Sequence, residues 1–514
     1  MPVVVAWFAA SIELIEPYDF WWNLKSGEIM VQTGQFLGTD VLVWTPVREP
    51  YSNPQWGSQL IFYWAYSLSP NFLLTLRAAI IAATVGLLVW LCAWRSGSLK
   101  AASACALIAY FTGWTNYGMR PQLLAFLPFI AYMLLLERKD RHPGWLPLLV
   151  PIMLFWVNVH GSFFLGVALI GIYAVGTLLE KLPHSDGRQW LLSKHAGRQA
   201  LWMGAAVLAT LVNPYFVGIY SYFFTATNDP IARALNMEWQ PPTLYNGTGH
   251  LFYLNVLIFL TSAYISKRRM RPTEILLVLA FGYLALVSLR NVIWWGWVTA
   301  PIMAVNFGAW AASRNRPTES QHPTNPTQRK GVTNAELGGG PSAAPDGPAN
   351  PGQPLVRPAP AELPALNWAL TLILVGWALA FTPLWKHINP RQAHTVVAPG
   401  TPVELAGFLR EAEVPAPLFN YMEWGGYLEW ELYPRYQMFI DGRFEARKVE
   451  VWTDYLAVSR GRADWQAILD RYGVRTLVLN KQFHRDLLPF VAASAHWRKV
   501  YEDELGVVYV RDAH

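Results

Sequence analysis

The sequence predicts an α-helical polytopic membrane protein with a small C-terminal α/β domain outside the bilayer. Three observations support this. Hydrophobic residues make up 53% of the chain and charged residues 14%, more apolar surface than one soluble core readily buries. Apolar runs long enough, or nearly so, to cross a bilayer recur from end to end. The loops between them alternate between basic and non-basic, as the positive-inside bias requires. The net charge of +6 sits in those basic loops, which speaks against nucleic-acid binding. Cys92 and Cys105 both fall inside apolar runs and offer neither a disulfide framework nor a metal-ligand spacing.

In chain order, the opening MPVVVAWFAASIELI lacks a basic n-region and a small-residue cleavage site, so 1–15 reads as a first span rather than a cleavable signal. A first external loop follows over 16–70. Further spans lie near 71–94, 101–118, 121–137, 144–159, 163–180, 200–218, 249–266, 274–289, 291–311 and 366–385, about eleven in all. The stretches RSGSLK, ERKDRH, Lys181 to Arg198 and SKRRMR mark the cytoplasmic side. Residues 1–312 thus form a multi-span domain. The Pro, Gly, Ser and Asn-rich stretch over 313–363 has little to bury and reads as a disordered cytoplasmic linker. A last transmembrane helix over 364–386 returns the chain outward, which places 395–514 outside the cytoplasm as an α/β domain. There YQMFIDGR, RTLVLN and GVVYVRD read as strands, and TPVELAGFLREA and ADWQAILDRYG as helices, the second closing on a glycine cap. Gly425 and Gly426 are expected to form a turn.

The outward loops carry isolated polar residues among aromatics. Asp19, in EPYDFWWNLKSGEIM, stands just beyond the first span with Glu13 and Glu16 close behind it at helical spacing. Beside Trp21 and Trp22 it reads either as a solvated acid in an interfacial belt or as a general base, which could instead hold a divalent cation. Arg120, in MRPQ, and Arg290, in LRNVIWW, place positive charge on the side opposite the basic loops. Either they snorkel to headgroups or they bind phosphate, to which a guanidinium offers bidentate donors. WVNVHGSFF adds Asn158 and His160, LVNPYF adds Asn213 and MEWQPP adds Glu238. A lone histidine is usually a satisfied structural residue. Polar groups recurring on one side of a bundle nevertheless define a candidate site, with Trp22, Asn158, Asn213 and Glu238 as substrate contacts. In the C-terminal domain, Asp441 and Arg443 at the end of FIDGR offer either a turn closed by an Asp-to-backbone bond or a contact with an acceptor.

The motifs DFWWNLKSGEIM, RPQ, VNVHGSF, VNPY, EWQPP, RNV and WGGYLEW…FIDGR, spread over nearly the whole chain, resemble a bacterial family of polytopic proteins near the GT-C superfamily of membrane glycosyltransferases. That superfamily uses lipid-phosphate-linked sugar donors. The resemblance implies inverting transfer of a sugar from a polyprenyl-phosphate carrier to an acceptor in the cell envelope, at the outer face of the bacterial cytoplasmic membrane. It implies Asp19 as the catalytic carboxylate of the first external loop, acting as base, and Arg120, His160 and Arg290 as donor-phosphate ligands. The adjacent acidic pair frequent in the superfamily is absent, since Phe20 follows Asp19, and this argues against a resident metal. The acceptor is not identified. The competing reading is a non-catalytic scaffold or a transporter presenting the C-terminal domain to envelope partners.

Overall fold

The computed structural model describes residues 1–16, 18–48, 51–184, 186–314, 372, 376 and 396–512. The expected linker beyond Arg314 and most of the last expected span therefore lie outside the described residues. The rest is mostly helical with one small sheet.

Four described helices are long and apolar enough to cross a membrane: Pro70–Ser96, Phe163–Lys181, Gly247–Ser266 and Leu289–Arg314. Shorter apolar helices, Pro2–Ile12, Leu99–Thr112, Pro121–Glu137, Pro143–Val159 and Pro272–Val287, fall where other spans are expected. The expected run near 200–218 is helical only to Ala209, where the helix Lys194–Ala209 ends. Local signals explain the ends. Pro70 opens its helix behind Ser69, whose Oγ accepts from the Asn71 N–H at 3.2 Å, and Gly97 closes it in the left-handed conformation at φ 66°. The helix Val292–Arg314 is buried over most of its length, packed on Pro70–Ser96, Leu99–Thr112, Gly247–Ser266 and Pro272–Val287.

Charges inside this bundle are tied to partners. Arg77, fully buried, donates to Ala10 O at 2.7 Å and also to Glu13 O, so it caps the carbonyl end of Pro2–Ile12. At the other end of its helix, Arg95 pairs with Glu137 at 3.3 Å and with Glu274, and Arg268 reaches Glu274 at 3.0 Å. These bridges bind the basic loops to one another.

The C-terminal sheet has the order β1-β2-β4-β3, with β1 Leu418–Asn420, β2 Thr476–Asn480, β3 Trp497–Glu502 and β4 Gly506–Arg511. β1 runs parallel to β2, and β4 runs antiparallel to both β2 and β3. Two expected strands and both expected helices occur, the helices as Val403–Glu411 and Trp465–Arg471. YQMFIDGR is not a sheet strand. Its backbone is taken up elsewhere: Asn420 Oδ1 accepts from Phe439 N at 2.8 Å, Asn420 Nδ2 donates to Ile440 O at 2.9 Å, and Met438 bridges Val43 near the N-terminal end of the chain. Gly425 and Gly426 do not form a turn either. They sit inside the helix Met422–Leu432, where a Cβ on Gly426 would lie 2.7 Å from Tyr18 O and one on Gly425 would lie 2.5 Å from Ile440 O. Small residues are required because this helix packs directly on the helix Asp19–Thr33, with Trp21 edge-on to Tyr427 at 5.1 Å.

The segment expected as the first external loop therefore belongs as much to the C-terminal domain as to the bundle. Trp44 N donates to Met438 O and Met438 N to Leu42 O, both at 3.0 Å; Arg48 N donates to Ala446 O at 2.9 Å. Ile15 pairs with the strand-like Val397 segment.

Candidate functional site

Asp19 does not continue the first helix, which ends at Ile12, and the helical spacing to Glu13 and Glu16 is not realised. It opens a new helix, where the aligned backbone N–H groups favour a carboxylate. Its backbone carbonyl accepts from Asn23 Nδ2 at 2.8 Å, and Asn23 continues into a buried amide chain: Gln59 Nε2 donates to Asn23 Oδ1 at 3.1 Å and Asn53 Nδ2 to Gln59 Oε1 at 2.8 Å. The Asp19 carboxylate lies under the C-terminal domain, since a Cβ on Gly442 would meet its Oδ1 at 2.6 Å. Burial pushes the Asp19 carboxyl up to about 6. Arg120 and the Trp22 indole oppose that rise, while Glu238 and Glu445 add to it.

Arg120 is held extended ahead of Pro121 and forms an ion pair with Glu238. Burial alone would raise the Glu238 carboxyl, but Arg120 and Arg290 outweigh it and hold the group below its ordinary value. Ser288 Oγ donates to Glu238 O at 2.7 Å and Leu289 N to Gln240 O at 2.9 Å, fastening this loop to the one that carries Arg290. The Arg290 guanidinium lies 4.9 Å from the Trp239 ring centre. Asp19, Arg120, Glu238 and Arg290 thus share one electrostatic neighbourhood.

The other expected residues have different surroundings. His160 is pushed down to about 3 by burial and by Arg290, so at neutral pH its ring is uncharged; Nδ1 accepts from Ser162 N at 3.0 Å. It can offer a hydrogen bond, not a cation. Asn158 accepts from Trp56 Nε1 at 3.0 Å and donates to Leu154 O and Val212 O, joining three segments. Asn213 closes the turn after Lys194–Ala209 by accepting from Tyr215 N at 2.8 Å.

Asp441 closes its turn by accepting from Arg443 N at 2.8 Å, yet Arg443 is not solvated. Its guanidinium pairs with Asp441 and Asp40 and lies 4.9 Å from the Trp22 ring centre. Arg447 joins Asp40 from the same segment, and Glu429 stands 3.9 Å from Arg443. All five side chains are buried. Burial, with Asp441 and Asp40 nearby, raises the Glu429 carboxyl well above its usual range; two ionised acids then balance two arginines.

Beside this cluster lies a cavity of about 530 Å³ between Arg48, residues 51–55, the helix Gly218–Thr227 and the Arg443–Ala446 segment. Of the sequence candidates, Trp22 and Arg443 line it; Asp19, Arg120, His160 and Arg290 do not. Tyr51, Tyr215, Tyr222, Arg48 and Glu445 line it without having been singled out from the sequence. Arg48 is paired with Asp229 at 2.8 Å, and Tyr222 donates to Glu445 Oε1 at 3.0 Å. Among the described residues, no group of three or more His, Cys, Asp or Glu side chains is gathered to hold a metal ion. Near Asp19 the neighbouring carboxylates are committed, Glu238 to Arg120 and Glu445 to Tyr222.

No protein-family model matches the chain, and no curated protein matches it. Among solved structures it is similar to the archaeal oligosaccharyltransferase AglB from Archaeoglobus fulgidus in complex with an inhibitory peptide and a dolichol-phosphate. That match has 12% identity and a TM-score of 0.52, and covers 99% of this chain and 74% of that one. The apo form of the Archaeoglobus fulgidus oligosaccharyltransferase gives 12% identity, the same coverage and a TM-score of 0.51. ArnT from Cupriavidus metallidurans bound to undecaprenyl phosphate gives 16% identity and a TM-score of 0.48, over 99% of this chain and 97% of that one. The likeness is one of fold alone. The four long apolar helices support an integral membrane protein by their length and composition.

Proposed function

We propose that this protein is an inverting membrane glycosyltransferase that moves a sugar from a polyprenyl-phosphate donor to an acceptor on the extracytoplasmic face. One observation carries the proposal: a partly buried carboxyl, Asp19, titrating near 6, stands beside the Arg120 guanidinium at the junction of the bundle and the C-terminal domain. A base must be ionised at working pH yet basic enough to accept a proton, and a group titrating near 6 meets both conditions.

In the step proposed, an acceptor hydroxyl oxygen attacks the anomeric carbon, the bond from that carbon to the donor phosphate oxygen breaks, and the hydroxyl proton passes to Asp19. The lipid phosphate leaves with the electron pair. Arg120, with Arg290 behind it, stabilises the charge on the departing phosphate, and His160 contributes at most a hydrogen bond from its neutral ring. A single displacement inverts the anomeric centre. Glu238 orients Arg120 and keeps it charged. The cell envelope supplies the acceptor.

The test is retention of undecaprenyl phosphate by the purified full chain, read by native mass spectrometry. Arg120→Ala should lose about tenfold or more of the bound lipid, the scale of a lost charge-assisted contact, while Asp19→Asn keeps it. Equal retention by both variants and the wild type would contradict the phosphate role of Arg120.

A further inference from the structure

We propose that the cavity beside Arg443 is a carbohydrate site for a neutral or cationic acceptor sugar, with Glu445 of the C-terminal domain as its recognition carboxylate. This rests on the transfer reading above and names the acceptor class.

The lining argues for it. At about 530 Å³ the cavity falls within the roughly 300–1,000 Å³ of small-molecule sites. Tyr51, Tyr215, Tyr222 and Trp22 bring aromatic rings, which offer flat apolar faces to a sugar ring and hydrogen-bonding edges to its hydroxyls. Asn53 and Gln55 add uncharged donors and acceptors, and Asn53 is fixed in place by the Gln59 amide. The charge balance decides the class. Both lining arginines are already neutralised, Arg48 by Asp229 and Arg443 by Asp40 and Asp441. Glu445 accepts a hydrogen bond from Tyr222 and has no ion-pair partner among the described residues. Among the described lining residues both cations are thus ion-paired, and Glu445 is the carboxylate presented to whatever enters. A Cβ on Gly442 would lie 2.6 Å from Asp19 Oδ1 and the next residue, Arg443, lines the cavity, so the proposed base stands just behind the cavity wall.

The experiment is saturation-transfer NMR on the detergent-purified full chain with three probes: N-acetylglucosamine, glucosamine and glucuronate. We expect transfer to the first two and about tenfold weaker binding of glucuronate, the effect of like charge at a desolvated contact. Glu445→Gln should weaken glucosamine about tenfold relative to N-acetylglucosamine and lift glucuronate towards it. Tyr222→Phe, a smaller change, should weaken all three less. Glucuronate binding as well as the neutral sugar would overturn the proposal, as would unchanged binding in both Glu445→Gln and Tyr215→Ala when they elute as folded monodisperse protein. Undecaprenyl phosphate retention is read on the same samples. Lipid retained without sugar binding sinks this inference alone, whereas lipid lost from the wild type sinks the transfer reading with it.

Discussion

The Arg443 guanidinium, carried by the C-terminal domain, donates to Asp40 of the segment between the first two bundle helices at 3.2 Å, across 403 residues of chain. Asp40 also holds Arg447, so one carboxylate is shared by two buried arginines at this seam, and Asp441 supplies the second negative charge.

Asp40→Ala should therefore cost about 3–5 kcal/mol, because it leaves buried guanidinium charge uncompensated. Thermal unfolding of the purified protein checks this. A loss below about 1 kcal/mol, the range of exposed pairs, would mean that the seam is solvated.

Gly426→Ala tests the same seam by shape. Its Cβ would press on Tyr18 O, and an overpacked helix contact costs about 1–3 kcal/mol. Gly407, in the helix Val403–Glu411, has nothing within 4 Å of an added Cβ, so Gly407→Ala should stabilise by about 0.5–1 kcal/mol. Equal melting shifts of the same sign for the two variants would contradict the close approach.

Much of this architecture was legible in the sequence because a bilayer enforces run length: helices begin and end near Pro70, Ser96 and Lys181 as the apolar runs do. Asp19, Arg120, Glu238 and Arg290 were legible as candidates because they stand as isolated polar residues between those runs. The Asp40 cluster was not, since its members come from segments hundreds of residues apart and no local periodicity records their pairing. YQMFIDGR misled for a related reason. Its apolar run suits a buried strand, but the Asn420 side chain and the loop at Val43 satisfy its backbone instead. The glycine pair reads as a turn until the opposing helix is known. Glu445 and Tyr222 carry no motif; only their meeting across the cavity marks them.

Orientation is testable with single cysteines in a background where the buried Cys92 and Cys105 are replaced by alanine. A cysteine at the exposed Arg485 position should react with an impermeant maleimide in intact cells, and one at Arg269 in the basic SKRRMR loop should react only after lysis. The reverse pattern would put the whole candidate site on the cytoplasmic side.

Asp19→Asn should lower sugar transfer by about two to four orders of magnitude and leave Arg120-dependent lipid retention intact. Wild-type transfer should fall about tenfold per pH unit below about 6, as the base protonates. The stability effect has the opposite sense. A carboxyl raised from 3.8 to about 6 binds its proton more tightly in the folded state, so the stability it contributes is present at low pH and lost as pH rises through about 6. Asp19→Asn should consequently melt no lower than the wild type at pH 7. A flat rate profile between pH 5 and 7, or a variant that transfers normally, would remove Asp19 from the chemistry.

The most direct measurement is cryo-microscopy of the full chain with added undecaprenyl phosphate. The account predicts phosphate density within hydrogen-bond reach of Arg120, on the Asp19 side of the Arg120–Glu238 pair and facing the cavity lined by Trp22 and Glu445. Phosphate density at the Arg95, Arg268 and Arg271 end of the bundle, or on its lipid-facing flank with the Asp19 region empty, would contradict it.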